Sequence, residues 1–356
     1  MTMIKKMRVI QINTEKTWRG GERQTLYTLE GLISQGVDCQ LMALKDSLMH
    51  QKAKAIGIDV ITVNSMVDAL FKLSQLKGKF DCIHAQTGKA HTQCILTKIF
   101  HKTPVVYTRR VDFIPSGFGT RIKYKLTNKV VSISNAISLI LEKSGMCVNS
   151  PIISSAVKNK HLDTERALEL KKSLDIQNNT RIIGIVSALE SHKDPVTALQ
   201  TIYELQKIRQ DFVVLHFGDG VFFNQISDMI KELNLDRVYL QMGHYENVED
   251  YFSIMDVFLM TSKEEGLGSS VLDAFNYEVS VVSTNAGGLN DLIEGRGCLC
   301  NIGDIQCLSQ GLSLALDSSE ESIEHMISAK KYCDNEMGID LMANKYITLY
   351  RELIDG

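Results

Sequence analysis

Apolar runs of two to five residues recur at 9–12, 39–43, 60–63, 82–83, 105–107 and 130–133, each followed by a longer stretch of mixed polarity. Runs this short suit buried strands, whereas stretches such as 23–34 and 135–143 repeat their apolar residues every three or four positions, as helices do. The alternation predicts a parallel sheet wrapped by helices. It weakens after Ser150, where Lys158, Asn159 and Lys160 precede a charged helix at 163–172, and a second series of strands then begins at 182–186. That series continues at 213–217, 238–241, 257–260, 279–283 and 297–299. The expectation is an α/β protein of two doubly wound domains, 1–157 and 158–340, followed by a last helix near 341–354. In such sheets ligands sit beyond the carboxyl ends of the strands.

A chain of 356 residues with 44% hydrophobic content is long enough for two cores of ordinary size. Its formal charge of −3 gives no global case for nucleic acid, and no apolar run approaches the roughly 20 residues that cross a bilayer. Lys5, Lys6 and Arg8 precede only a short strand, not a leader segment, so a cytoplasmic protein is expected. The eight cysteines are scattered. Cys298 and Cys300 are the one close pair, with no second pair or histidine at zinc spacing, which predicts reduced, structural thiols and no metal.

Candidate chemistry concentrates at 264–273, Glu-Glu-Gly-Leu-Gly-Ser-Ser-Val-Leu-Asp, between the strand at 257–260 and a helix at 270–275. A strand-to-helix loop presents free backbone N–H groups with the positive helix end behind them, and Gly266 and Gly268 carry no Cβ to hold a phosphate away. Leu267, Ser269 and Ser270 complete that loop. A carboxylate beside phosphate is repelled, so Glu265 and, two helical turns on, Asp273 are expected to bind hydroxyls. Hydroxyls plus phosphate describe a nucleotide sugar. A second glycine loop, Trp18-Arg-Gly-Gly-Glu, follows the first strand; Gly20 and Gly21 there suit a diphosphate, and the missing G-x-G-x-x-G spacing counts against a nicotinamide dehydrogenase.

With these motifs the chain resembles the family 4 retaining glycosyltransferases, whose pattern is Glu, seven residues, Glu. The resemblance extends to Gly184–Pro195, Phe217-Gly-Asp-Gly220, Met242-Gly-His244 and 280–293 with its Gly-Gly turn, and to Asp81–Ala85 and 131–134 in the first half. It implies the GT-B architecture, two Rossmann-like domains facing across a cleft, with the helix at 341–356 packing back on the N-terminal, acceptor-binding domain. It also implies a phosphate-binding Lys193 and a donor-contacting Glu265 as the catalytic pair, with no metal or other cofactor. Three positions depart from the family. Ala188 stands where an arginine is usual, leaving His192 as a compensating donor; Asp273 replaces a glutamate; Gln86 occupies the second position of His-x-His, after His84.

Thr108–Pro115 and 117–129 form the clearest basic and aromatic cluster. Arg109, Arg110 and Asp112, with His84 and His91, are the candidate acceptor contacts, although a packed core explains His91 equally well. Cations beside aromatics suit an anionic or lipid-linked glycan acceptor and peripheral contact with the inner face of a membrane. Without a repeated stacking platform RNA is not expected. The expected activity is therefore retaining, metal-independent transfer of a sugar from a nucleoside-diphosphate sugar to a glycan hydroxyl, in lipopolysaccharide or other cell-surface glycan synthesis. The alternatives are a GT-B sugar-nucleotide epimerase or hydrolase, and a decayed subunit that binds sugar nucleotides or partners without turnover.

Overall fold

A computed structural model describes residues 6–355; Lys5 and the two chain ends lie outside the described residues. The chain forms two compact units, one running to Lys158 and resuming at Met337, the other spanning Asn159–Glu336.

The first unit alternates strictly: β1 Arg8–Asn13, α1 Gly20–Ser34, β2 Asp38–Leu44, α2 Leu48–Ala55, β3 Asp59–Val63, α3 Met66–Ser74, β4 Cys82–Ala85, α4 Gly88–His101, β5 Val105–Arg109, α5 Phe118–Leu126, β6 Lys129–Ser132 and α6 Asn135–Lys143. Helix starts are written into the sequence. Ser47, Ser65, Thr87 and Ser134 each accept a hydrogen bond from an N–H in the first turn of the helix they open, which satisfies a donor that would otherwise be unpaired. The sheet is parallel in the order β3-β2-β1-β4-β5-β6, with Val9 beside Cys82 where β1 meets β4. Strand order reverses at that pair.

The second unit repeats the plan with α7 Thr164–Ser173, β7 Arg181–Val186, α8 Pro195–Ile208, β8 Phe212–Phe217, α9 Phe223–Glu232, β9 Tyr239–Gly243, β10 Val257–Met260, α10 Ser269–Asn276, β11 Ser280–Thr284, α11 Leu289–Ile293, β12 Cys298–Cys300, α12 Ile305–Leu316 and α13 Glu320–Glu336. Its order is β12-β11-β10-β7-β8-β9, again parallel, and it reverses between β7 and β10, where Val257 pairs with Ile183. Gly184 makes this junction possible, because a Cβ there would lie 2.0 Å from the Met255 Sδ.

The last helix, α14 Ile339–Asp355, belongs to the first unit. It packs on α1 at Gly31, where a Cβ would come within 2.7 Å of Ile339 Cγ2 and 2.9 Å of Ala343 Cβ. Tyr346 and Tyr350, both fully buried, carry its inner face into the sheet. No helix among the described residues is long and apolar enough to cross a membrane.

Two sequence expectations change. The helix after β1 begins at Gly20, not near residue 23, so Gly20 and Gly21 are its first two residues, not a preceding loop. And the cysteines are not all reduced: Cys300 and Cys307 form a disulfide between the edge strand β12 and the first turn of α12. Sequence spacing hid this pair because a cysteine at a strand end and one in the following helix, seven positions apart, meet only when the helix folds back on its strand.

Candidate functional site

In an open α/β sheet the crevice at the point of strand-order reversal is where ligands bind. The second unit places there the loop after β7, with Lys193, and the loop after β10, with Glu265. Hydrogen bonds to backbone carbonyls hold the two loops together: the Lys263 and Glu264 N–H groups donate to His192 O at 2.8 and 3.4 Å, and the Thr261 hydroxyl donates to Lys193 O and Asp194 O at 3.2 and 3.0 Å. Lys193 ends a 3-10 turn spanning Ser191–Lys193. Asp194 then takes a left-handed conformation and caps α8, accepting from the Thr197 hydroxyl at 2.6 Å. Pro195 follows as the first helical residue, with its φ already set for a helix.

The result is a direct ion pair between the Lys193 ammonium and the Glu265 carboxylate, with side chains 18% and 15% exposed. Neither group is out of reach of a ligand, and each is shielded enough from water for the attraction to exceed that of a surface pair. Buried Asp194 carries a second cation, Lys263, at 3.0 Å. Two ammonium groups and two carboxylates thus line the same pair of loops. Lys263 went unnoticed in the sequence because a lysine two residues before Glu265 has no motif to mark it.

The Gly-Gly turn at 287–288 fixes Glu265 from below. Gly288 N–H donates to Glu265 O at 2.8 Å, and a Cβ at Gly288 would sit 2.3 Å from Gly266 O. At Gly287 a Cβ would lie 2.3 Å from Glu265 O, and its φ of +51° is one that other residues rarely adopt. Beyond the turn, Gly268 caps α10, and Ser270 donates to Val186 O at 3.0 Å, tying the helix start to the end of β7. Gly266, Leu267 and Gly268 are buried, and Ser269 and Ser270 are half-buried. Asp273 lies on α10, half-buried; burial pushes the Cys333 thiol of α13 up to about 12, and Asp334 and Asp273 add to that rise. His192 is exposed on the 3-10 turn. One strand over, a Cβ at Gly218 would lie 1.8 Å from Ser187 O and one at Gly220 2.4 Å from Leu189 O, so the Phe217-Gly-Asp-Gly220 motif lies flat against the loop that carries Lys193.

In the first unit the reversal point brings together Gly21, Gln86 and Arg110. Arg110 donates to Gln86 O at 3.3 Å, and a Cβ on Gly21 would make ordinary contact with its Cδ at 3.7 Å. Arg110 Nε is buried without a partner among the described residues. Glu22 closes the start of α1 by accepting from Arg19 N–H at 2.9 Å. Burial raises its carboxyl above the usual range, and that hydrogen bond works against the rise.

Three tentative acceptor residues are placed elsewhere. His84 is fully buried, with Nδ1 at 2.6 Å from the Tyr350 hydroxyl and Nε2 at 2.7 Å from that of Thr108; burial, and secondarily Arg110, holds it well below the usual histidine range. It is a neutral tie between β4 and α14. His91, also fully buried, stacks on Tyr107 at 4.0 Å between ring centres and bonds the Thr127 hydroxyl at 2.6 Å. Burial, then Lys123 and Arg109, pushes it down to about 2. Arg109 is 2% exposed, donating to the Tyr124 hydroxyl at 2.8 Å and to the Phe113 carbonyl, so it holds the β5–α5 connection from inside. Asp112 is half-buried in that connection. Residues that follow a strand look like ligands in sequence, but whether they point at solvent or at the next element is settled by what packs over them.

Residues 167–332 match the family described as Glycosyl transferases group 1. The chain is 25% identical over 190 residues to N-acetyl-alpha-D-glucosaminyl L-malate synthase of Bacillus anthracis, covering 52% of this chain and 49% of that relative, so it spans about half of that relative's length. It is 23% identical over 367 residues to the UDP-Gal:alpha-D-GlcNAc-diphosphoundecaprenol alpha-1,3-galactosyltransferase of Escherichia coli, covering 93% and 92%. Among solved structures, Anabaena HepE in complex with UDP and glucose matches with a TM-score of 0.85 at 16% identity, covering 97% of this chain and all of that one. The fold is accordingly that of the GT-B glycosyltransferases.

Proposed function

We propose that the chain, whose residues 167–332 match the glycosyl transferases group 1, transfers a sugar from a nucleoside-diphosphate sugar to a hydroxyl of a lipid-linked glycan in cell-surface glycan synthesis. The observation that carries this is the Lys193–Glu265 pair at the point of strand reversal, beside the start of α10. A cation for departing phosphate and an anion for sugar hydroxyls stand within one contact of each other, as a ligand carrying both groups requires.

In this reading the bond between the anomeric carbon and the diphosphate oxygen breaks while the acceptor oxygen bonds that carbon from the same face. The leaving phosphate oxygen takes the acceptor's proton, which retains configuration with no protein nucleophile and no metal. Lys193 turns from Glu265 to the diphosphate, and the α10 amides at Ser269 and Ser270 share that charge. Glu265, released from its lysine, accepts from donor-sugar hydroxyls, Asp273 accepts from the nucleoside, and His192 is a further donor to phosphate. Gly20 and Gly21 are assigned diphosphate contacts, and Arg110 an anionic group of the acceptor. The names of the relatives support a uridine diphosphate donor and a diphosphate-linked acceptor lipid.

Lipid contact falls to the β5–α5 region. Phe113, Ile114 and Phe118 are 61%, 71% and 81% exposed, and Arg121 and Lys125 are exposed beside them. Aromatic and aliphatic side chains next to cations suit an anionic bilayer surface.

Thermal stabilisation across UDP, GDP, ADP and CMP tests the donor site, since a ligand at about 100 times its Kd adds roughly 2.7 kcal/mol. UDP is expected to stabilise the protein, and Lys193→Ala to remove that effect. Glu265→Ala is expected to lower transfer from a UDP-sugar by about 100-fold or more while the protein stays folded. A fully active Glu265→Ala variant, or a folded protein that no nucleotide stabilises, overturns the assignment.

A further inference from the structure

β12 is three residues long and lies at the edge of its sheet, paired only with β11. Residues two apart in a strand share a face, which sets Cys298 beside Cys300. Residues four apart in a helix also share a face, which sets Cys307 and Gly311 in line on α12. The two faces meet. A Cβ on Gly311 would lie 2.7 Å from the Cys298 Sγ, and Cys300 and Cys307 are disulfide-linked with Cα atoms 5.7 Å apart. All three Sγ atoms lie within 4.8 Å of one another, the only such group of histidine, cysteine and acidic ligands among the described residues.

We propose that, once the disulfide is reduced, Cys298, Cys300 and Cys307 form a three-thiolate site for a thiophilic d10 cation such as Zn2+. Tetrahedral zinc with Zn–S bonds of about 2.3 Å holds its sulfurs about 3.8 Å apart, within the spread of this cluster. Thiolates select such a cation over Mg2+ or Ca2+. Opening the disulfide takes two electrons and two protons from an external dithiol, which leaves as its own disulfide. Binding then exchanges three S–H bonds for three S–metal bonds and releases three protons. Cys298 also lines a pocket together with Glu321 and His325. The disulfide and the metal exclude each other, because the disulfide consumes two of the three thiols. Either one staples the edge strand to α12. The site is independent of the transfer reading.

The test uses the full chain, reduced with a dithiol, freed of it anaerobically and titrated with Co2+ and then Zn2+ against a chromophoric chelator. One equivalent should bind, with thiolate-to-cobalt charge-transfer absorption that Zn2+ abolishes. Cys298→Ser and Cys307→Ser should each weaken Zn2+ at least ~100-fold, Cys147→Ser should leave it unchanged, and the oxidised protein should bind none. Should a serine variant fail to fold, alkylation of the reduced wild type serves instead, with Zn2+ protecting the three cysteines and not Cys147. Reduced, folded protein that takes up no Zn2+, folded serine variants that bind as tightly as the parent, equal binding by the oxidised form, or no protection from alkylation would each overturn the proposal.

Discussion

Gly288→Ala is the substitution that best separates the geometry of the site from its motif. Gly288 has φ −72° and ψ −9°, an ordinary helical conformation, so alanine meets no backbone strain there. On entropy alone the change would stabilise the fold by about 0.4–1 kcal/mol. The new Cβ, however, would lie 2.3 Å from Gly266 O and 2.9 Å from its carbonyl carbon. Carbon and oxygen settle at about 3.3 Å, so the two loops must part by about 1 Å. Neither contact is the far end of a flexible side chain. Overpacking of this kind costs about 1–3 kcal/mol, which leaves a net loss of roughly 1–2 kcal/mol after the entropic gain. At about 2–4 °C per kcal/mol for a domain of this size, the melting temperature should fall by about 2–8 °C. The same displacement moves Glu265, whose carbonyl accepts from the Gly288 N–H. A 1 Å misplacement of a reacting group can cost about 100-fold, so transfer should fall far more than stability does. Gly119→Ala is the control, since that glycine lies within α5 with nothing inside 4 Å of its added Cβ, and it should be neutral or stabilising. Denaturant melts and initial rates with a UDP-sugar read both effects. A Gly288→Ala protein as stable and as active as its parent would show that the loops do not approach so closely, and the argument for Glu265's position would fall with it.

The remaining expectations concern the buried polar groups. His216 is held down to about 4 by burial, against an ordinary 6.5, with Nδ1 at 2.7 Å from the Tyr239 hydroxyl. Because its folded value is depressed, the unfolded chain binds more protons between about 6.5 and 4. Stability should therefore be complete above that window and fall as pH drops through it, by about 3 kcal/mol from this residue, and His216→Gln should flatten the slope of unfolding free energy against pH. A slope unchanged in the variant would refute the assignment. His91, depressed to about 2, extends the same trend to lower pH. Tyr350→Phe removes a hydroxyl shared by His84 Nδ1 at 2.6 Å and Gln11 Nε2 at 3.2 Å, and should cost about 1–3 kcal/mol in denaturant melts; no loss would mean that this hydroxyl does not help to hold α14.

The apolar rhythm alone was enough for the two six-stranded units, since strands buried on both faces must be short and continuously apolar and their helices must repeat every three to four residues. It placed β7, β8, β10 and α6 within a residue of where they lie. The glycine pattern around 265 and 287 was likewise visible, because only glycine permits two backbones to approach so closely. What the sequence could not show was direction. Arg109 and Arg110 are adjacent and alike in type, yet one is sealed beneath the β5–α5 connection and the other reaches Gly21 and Gln86, because successive residues at a strand end face opposite ways. His84 and His91 looked like ligands until α14 and Tyr107 covered them. The pairing of Lys193 with Glu265, 72 positions apart, and the meeting of Cys298 with the Cys300–Cys307 disulfide arise from strand order and from a helix folding back on its strand. Local pattern determines the elements; which side chains share a space is decided by long-range packing.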